Sequence, residues 1–198
     1  LISCRNFILR GRKGSVVSPS QLDSEWFDNI SVKKKKIDNI KLLYIGRIRV
    51  EKGIFSLIEL IKDKSDFSLT IVGAEKHHEN LNKKNVKIYK SENNKKNLIQ
   101  LYDNHDIFIL PSFTEGHPMV LLESLARRKP VIIFEEIEHV INNKKGVFVS
   151  KRNYESLLET INRIKNNYTN IQEEIKKNNL PTNKEFIKQM ANIISVLN

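Results

Sequence analysis

The sequence predicts an α/β fold: a doubly wound, Rossmann-like parallel sheet of about six strands with helices on both faces, followed by a helical C-terminal tail. Two observations predict the sheet. Short runs almost continuous in apolar residues, such as Ile107-Phe108-Ile109-Leu110 and Val131-Ile132-Ile133-Phe134, alternate with segments of helical periodicity. Strands of that kind are buried on both faces, as in parallel sheets covered by helices. A third observation sets the tail apart: Leu157, Leu158, Ile161, Ile164, Ile171 and Ile175 recur at helical spacing with no strand between them.

Taken in order, residues 1–27 read as the remnant of a preceding domain and its linker. The chain does not begin with Met, and it is expected to be a piece of something longer. Val16 to Ser20 form an extended piece, and Asp23 to Phe27 a turn or short helix whose Trp26 and Phe27 pack on the sheet domain. A basic linker covers 28–40. The alternation then begins with strand 42–46 and helix 54–61, in which Ile54, Leu57, Ile58 and Ile61 share one face. Strand 67–72 ends at Gly73, and strand 86–89 is short. Helix 94–104 carries Leu98, Ile99 and Tyr102. Strand 106–110 stops at Pro111, and Pro118 opens helix 118–128, because the first turn of a helix tolerates a missing N–H. Strand 131–134 leads into a loop or short helix bearing Ile137, Val140 and Ile141, and 146–149 is the last strand. The sheet domain is 41–166. Residues 167–198 add C-terminal helices, broken at Leu180-Pro181, with Phe186, Ile187, Met190, Ile193, Ile194 and Leu197 along the last.

Composition narrows the function classes. The 198 residues are 39% hydrophobic, enough for a real core, and no apolar run reaches a membrane span. The single cysteine, Cys4, rules out an internal disulfide and a cysteine-based zinc site. That usage points to a reducing cytoplasm. A net charge of +11 comes from 34 basic and 23 acidic residues. The lysines are dispersed and no basic run is interleaved with aromatics, so nucleic acid is not the expected partner. Lys33-Lys34-Lys35-Lys36 reads first as a solvated loop and second as a peripheral contact with an anionic inner-membrane surface. His77-His78 lack a third ligand nearby and read as a loop, not a metal site.

Two constellations fall at the carboxyl ends of predicted strands, where doubly wound sheets bind ligands. The first is Gly46-Arg47-Ile48-Arg49-Val50-Glu51-Lys52-Gly53. Gly46 allows a sharp turn off the strand. Arg47 offers a planar fork for phosphate oxygens and Lys52 a mobile point charge, so together they can hold and neutralise a leaving diphosphate without a metal. The competing reading is two exposed cations in a very basic chain. The second is Pro111-Ser112-Phe113-Thr114-Glu115-Gly116-His117-Pro118-Met119-Val120-Leu121-Leu122-Glu123. Glu115 lies in the turn and Glu123 about one and a half turns into the helix. The helix N-terminus suits a phosphate, backbone N–H groups of Gly116 to Val120 suit phosphate or sugar oxygens, and an ionised Glu123 suits paired hydroxyls such as those of a ribose. His117 reads as a turn histidine before it reads as a general base. His105 and His139 receive no role.

These motifs, with Ile71-Val72-Gly73, Glu123-Ser124-Leu125-Ala126, Lys129-Pro130-Val131-Ile132 and Gly146 in the same order, resemble the C-terminal half of a retaining glycosyltransferase of the GT-B type, in family 4, or glycosyl transferases group 1. The resemblance runs from about residue 40 to 165. It implies that Arg47 and Lys52 bind the diphosphate of a nucleotide-sugar donor and that Glu115 contacts the sugar; these three form the expected catalytic set. Gly46, Gly116, His117, Pro118, Met119 and Val120 would line the donor, Glu123 would hold the ribose, and the nucleobase would lie against backbone at Tyr89 and Lys90. It further implies no metal and no cofactor beyond the donor substrate. The acceptor would be a glycan or lipid-linked glycan bound with help from an absent N-terminal domain, in a cytoplasmic enzyme of capsule or lipopolysaccharide synthesis. The alternative is a non-catalytic module that binds a nucleotide or a partner. Two departures stand out: Arg128 replaces the glycine common before Lys-Pro-Val-Ile, and Phe134-Glu135-Glu136 replaces a Gly-Gly pair.

Overall fold

The computed structural model describes residues 2–3, 15–30, 39–74 and 81–197, with side chains for 17–30, 39–74, 81–195. Cys4, Lys33–Lys36 and His77-His78 lie outside the described residues. Strands β1 (Ile2–Ser3) and β2 (Ser15–Val16) pair in parallel as a separate two-stranded sheet. The main sheet contains β3 (Ile40–Ile45), β4 (Phe67–Ala74), β5 (Val86–Lys90), β6 (Ile107–Leu110), β7 (Val131–Phe134) and β8 (Val147–Ser150). All five pairings are parallel and the order is β5-β4-β3-β6-β7-β8. The expected doubly wound sheet is thus present, and its strand order reverses between β3 and β6.

The helices follow the apolar spacing. In α1 (Ile54–Ile61), Ile54, Leu57, Ile58 and Ile61 are all buried on one face. Each such side chain contributes about 1.5–3 kcal/mol by leaving water. Helix α2 (Lys95–Asn104) is capped by Asn94, whose side chain accepts from the N–H groups of Lys96 and Asn97. Helix α3 (Met119–Ala126) starts after Pro118. Asn153 caps α4 (Tyr154–Asn166), and α5 (Tyr168–Lys176) and α6 (Asn183–Leu197) complete the tail. Two cores result. One, under α1 and α4, joins Leu42, Tyr44, Leu69, Ile109, Ile132 and Leu157. The other, under α2 and α3, joins Leu43, Val72, Tyr102, Phe108, Leu122 and Ile133. Residues alternating along one strand feed opposite faces, as a two-sided sheet requires.

Strand β4 runs one residue past Gly73, and its register with β5 shifts between Val72 and Ala74. A Cβ at Gly73 would stand 2.1 Å from the Gly46 carbonyl oxygen, so the ends of β3 and β4 approach closely only because Gly73 has no side chain.

The segment before β3 is part of the packed unit. Leu22 and Trp26 are buried in the second core, whereas Phe27, expected to pack beside Trp26, is 38% exposed because it ends the short helix on its outer side. The expected short helix is a 3-10 helix, Ser24–Phe27, and Asp23 caps it. Arg127 holds this segment down. Its guanidinium is 1% exposed and donates to both Asp103 carboxylate oxygens, at 3.0 and 2.7 Å, and to the carbonyls of Trp26, Asp28 and Asn29. A buried charge is tolerable when it is paired and fully hydrogen-bonded in this way. Next to it, Arg128 takes φ 53° and donates its N–H to Leu125 O. The arginine adopts the left-handed backbone of the expected glycine, so the turn into β7 is preserved despite the departure.

Candidate functional site

The loops after β3 and β6 flank the point where the strand order reverses. Ile45 ends β3, and Gly46 takes φ 155° while its N–H donates to Val72 O at 2.9 Å. The buried Tyr44 hydroxyl then reaches over the turn to donate to Arg47 O at 2.9 Å. Burial pushes that hydroxyl's pKa upward, with the nearby Glu115 charge adding to the effect, so it remains a donor. The chain passes through a 3-10 turn, Val50–Lys52, and leaves it at Gly53 with φ 66°. Here the two loops meet. The Phe113 N–H donates to Glu51 O at 3.0 Å, and an ideal Cβ at Gly53 would lie 1.9 Å from Pro111 O.

Lys52 and Glu115 join across this seam, Nζ to Oε1 at 2.7 Å. Their side chains are 22% and 9% exposed. The same Glu115 oxygen accepts from Ser112 Oγ at 2.7 Å. Two histidines fix the rest of the turn: His139 Nε2 lies 2.8 Å from Glu115 O, and His117 Nε2 lies 2.8 Å from Pro19 O. Each ring nitrogen must be the donor, because a carbonyl can only accept. His117 is therefore engaged with the segment that precedes the sheet. Arg47 and Gly116 are exposed, Pro118, Met119 and Val120 half-buried.

Glu123 sits at the second turn of α3, 9% exposed. Tyr102 on α2 donates its hydroxyl to Glu123 Oε2 at 2.8 Å. Burial raises the Glu123 pKa, and the Tyr102 hydrogen bond offsets part of that rise. Burial, reinforced by the Glu123 charge, also holds the Tyr102 hydroxyl well above its ordinary value. Tyr89 and Lys90 stand at the end of edge strand β5, two strands out from β3. Tyr89 is 53% exposed.

Sequence reasoning placed Arg47, Lys52, Glu115 and Glu123 at one edge, and the parallel sheet brings them there. It did not foresee that Lys52 and Glu115 bond to each other, nor the parts played by Ser112, Tyr102 and His139. One signal was available for His139. The loop after β7 also opens at the carboxyl edge, so a polar residue there is near the β6 loop by topology alone.

A doubly wound sheet with charged, glycine-turned loops at the carboxyl edge of its reversal point is the architecture of a domain that binds a ligand in that crevice. Solved structures with this fold include a glycosyltransferase from Rickettsia africae (TM-score 0.77, 21% identity, 99% of this chain and 63% of that one). They also include sucrose-phosphate synthase from Thermosynechococcus elongatus (TM-score 0.72, 17% identity, 96% and 55%) and the lipopolysaccharide outer core galactosyltransferase WaaB (TM-score 0.70, 18% identity, 100% and 62%). The chain thus spans between 55% and 63% of the length of these structures. The sequence profile described as "Glycosyl transferases group 1" matches residues 27–182, and the chain belongs to that family. Curated proteins give no match. No helix among the described residues is long and apolar enough to cross a membrane, and no group of acidic, histidine or cysteine side chains among them could hold a metal ion.

Proposed function

We propose that this chain is the donor-binding half of a GT-B glycosyltransferase that moves a sugar from a nucleotide diphosphate to a hydroxyl of a glycan or lipid-linked glycan, with retention of configuration. One observation carries the reading: Lys52 and Glu115, from loops on opposite sides of the strand reversal, are held together at 2.7 Å over the carboxyl edge. Arg47 and Lys52 take the departing diphosphate and neutralise its developing charge without a metal. Glu115, fixed by Ser112, orients sugar hydroxyls once Lys52 turns to phosphate. N–H groups of Gly116 to Val120, at the start of α3, take phosphate or sugar oxygens. Glu123 takes ribose hydroxyls, and the base lies against backbone at Tyr89 and Lys90. The acceptor in this reading is an envelope polysaccharide precursor such as that of lipopolysaccharide or capsule. WaaB, named for the lipopolysaccharide core, shares the fold, and a chain of charge +11 is drawn to an anionic lipid-linked acceptor.

Calorimetric titration with UDP, GDP, ADP and their common sugar conjugates tests the proposal. A saturable response to one base, lost in Lys52→Ala and in Glu123→Ala, is the expected result. At about 100 times Kd the ligand stabilises the fold by about 2.7 kcal/mol. A response unchanged in both variants places the ligand elsewhere and refutes the assignment.

A further inference from the structure

Arg152, two residues after β8, lies outside every motif that pointed to the site, yet its guanidinium ends beneath the Glu115 turn. Its Nε and Nη2 donate to the two Glu136 carboxylate oxygens at 2.8 and 3.1 Å. That pairing holds the Glu136 pKa below the ordinary carboxylate range. Nη2 also approaches Ser112 O at 3.5 Å. The guanidinium carbon stands 4.1 Å from the ring centre of Phe113 and 4.3 Å from that of Phe134, so the cation contacts two aromatic rings. Nη1 is buried with no hydrogen-bond partner among the described residues, and it lies 3.2 Å from where a Gly53 Cβ would be. The guanidinium thus joins the loop after β7 to the loop after β6 through Glu136 and Ser112. The Phe134-Glu135-Glu136 departure supplies both one ring and the carboxylate of the arrangement.

We propose that Arg152 is a positioning residue for the Glu115 turn. It touches the backbone of Ser112 and the ring of Phe113, while Ser112 Oγ in turn holds Glu115. A relay therefore runs from Glu136 through Arg152 and Ser112 to Glu115 and Lys52. The hydrogen bonds of Arg152 go to Glu136 and Ser112 and its guanidinium lies over two rings, so in this proposal it acts through these neighbours. The effect on binding rests on the donor-site reading above; the effect on the turn does not.

The test combines amide hydrogen exchange with titration of UDP-glucose, GDP-mannose and ADP-glucose, on wild type, Arg152→Met and Arg152→Lys. In Arg152→Met the Phe113 amide, bonded to Glu51 O, exchanges at least about tenfold faster while β7 and α4 keep their protection, and affinity for the bound sugar nucleotide falls about tenfold. Arg152→Lys restores neither, since a point charge cannot span Glu136 and Ser112 together. Unchanged exchange at Phe113 overturns the proposal, and so does faster exchange spread evenly over the sheet, which marks a purely structural residue. If Phe113 alone is released but wild type binds none of the three nucleotides, the positioning stands and the donor reading fails.

Discussion

Replacing Gly53 with alanine drives a methyl group into the loop that follows β6. An ideal Cβ there stands 1.9 Å from Pro111 O and 2.8 Å from its carbonyl carbon, where ordinary contact begins at 3.4 Å. Backbone cannot yield as a side-chain tip can, so the two loops must part by more than an ångström. The left-handed φ of 66° adds about 1–2 kcal/mol for any residue with a β-carbon. Parting the loops also breaks the Phe113–Glu51 hydrogen bond, about 0.5–1.5 kcal/mol, and stretches the Lys52–Glu115 pair. The total is about 3 kcal/mol, which lowers Tm by about 6–12 °C in a chain of this size. Thermal unfolding followed by far-UV circular dichroism measures it. Gly116→Ala is the matched control, because no atom lies within 4 Å of its ideal Cβ; its Tm should move by less than about 2 °C. A Gly53→Ala chain that melts with wild type refutes the close approach of the two loops.

Glu123 gives a pH-dependent prediction. Its pKa is raised in the folded chain by burial, so the native state holds that proton more tightly than the unfolded state. The stability this contributes is full below the ordinary glutamate value of 4.5 and is lost as pH rises through the raised folded value. Glu123→Gln, which keeps an acceptor for Tyr102, should therefore melt higher than wild type at neutral pH, with the gap closing toward pH 4.5; a gap that is constant with pH would count against it. Arg128→Gly relieves a left-handed arginine at about 1–2 kcal/mol and gives back about 0.4–1 kcal/mol in unfolded-chain entropy. Denaturant titration should show a net gain of between about 0 and 1.6 kcal/mol, and a loss would mean that the Arg128 side chain holds contacts worth more than the strain.

The elements that could be read from the sequence are those whose side chains face only two environments. Ile54, Leu57, Ile58 and Ile61 had to share a core-facing stripe, and Val131 to Phe134 had to be covered on both sides; both stand as expected. The same logic put Lys52 and Glu115 at one edge, since strand direction fixes where loops open. What it could not supply was which partner each polar group would take. Tyr102 was legible as an inward residue of its helix, but its bond to Glu123 depends on how α2 leans on α3. Arg127 and Arg152 read as two more cations among 34 basic residues. Only the fold reveals that Asp103 and three carbonyls converge on one, and that two aromatic rings contact the other. Spacing along the chain reports periodicity and strand ends, and carries no record of convergence from distant segments.

The seam between the two loops also bears on how the domain folds. Lys52 and Glu115 are 63 residues apart, and the chain makes a complete excursion through β4 and β5 before β6 returns to the inner edge of β3. Contacts of such sequence separation carry a larger loop-closure cost than local ones and form more slowly. A chain that has formed β5-β4-β3 but not yet docked β6 therefore presents β3 as an open apolar edge, the kind that pairs with other chains. It also has no Lys52–Glu115 contact at all. The seam can form only after that edge is closed, so a substitution that stabilises β3–β6 docking favours both the covered edge and the assembled site.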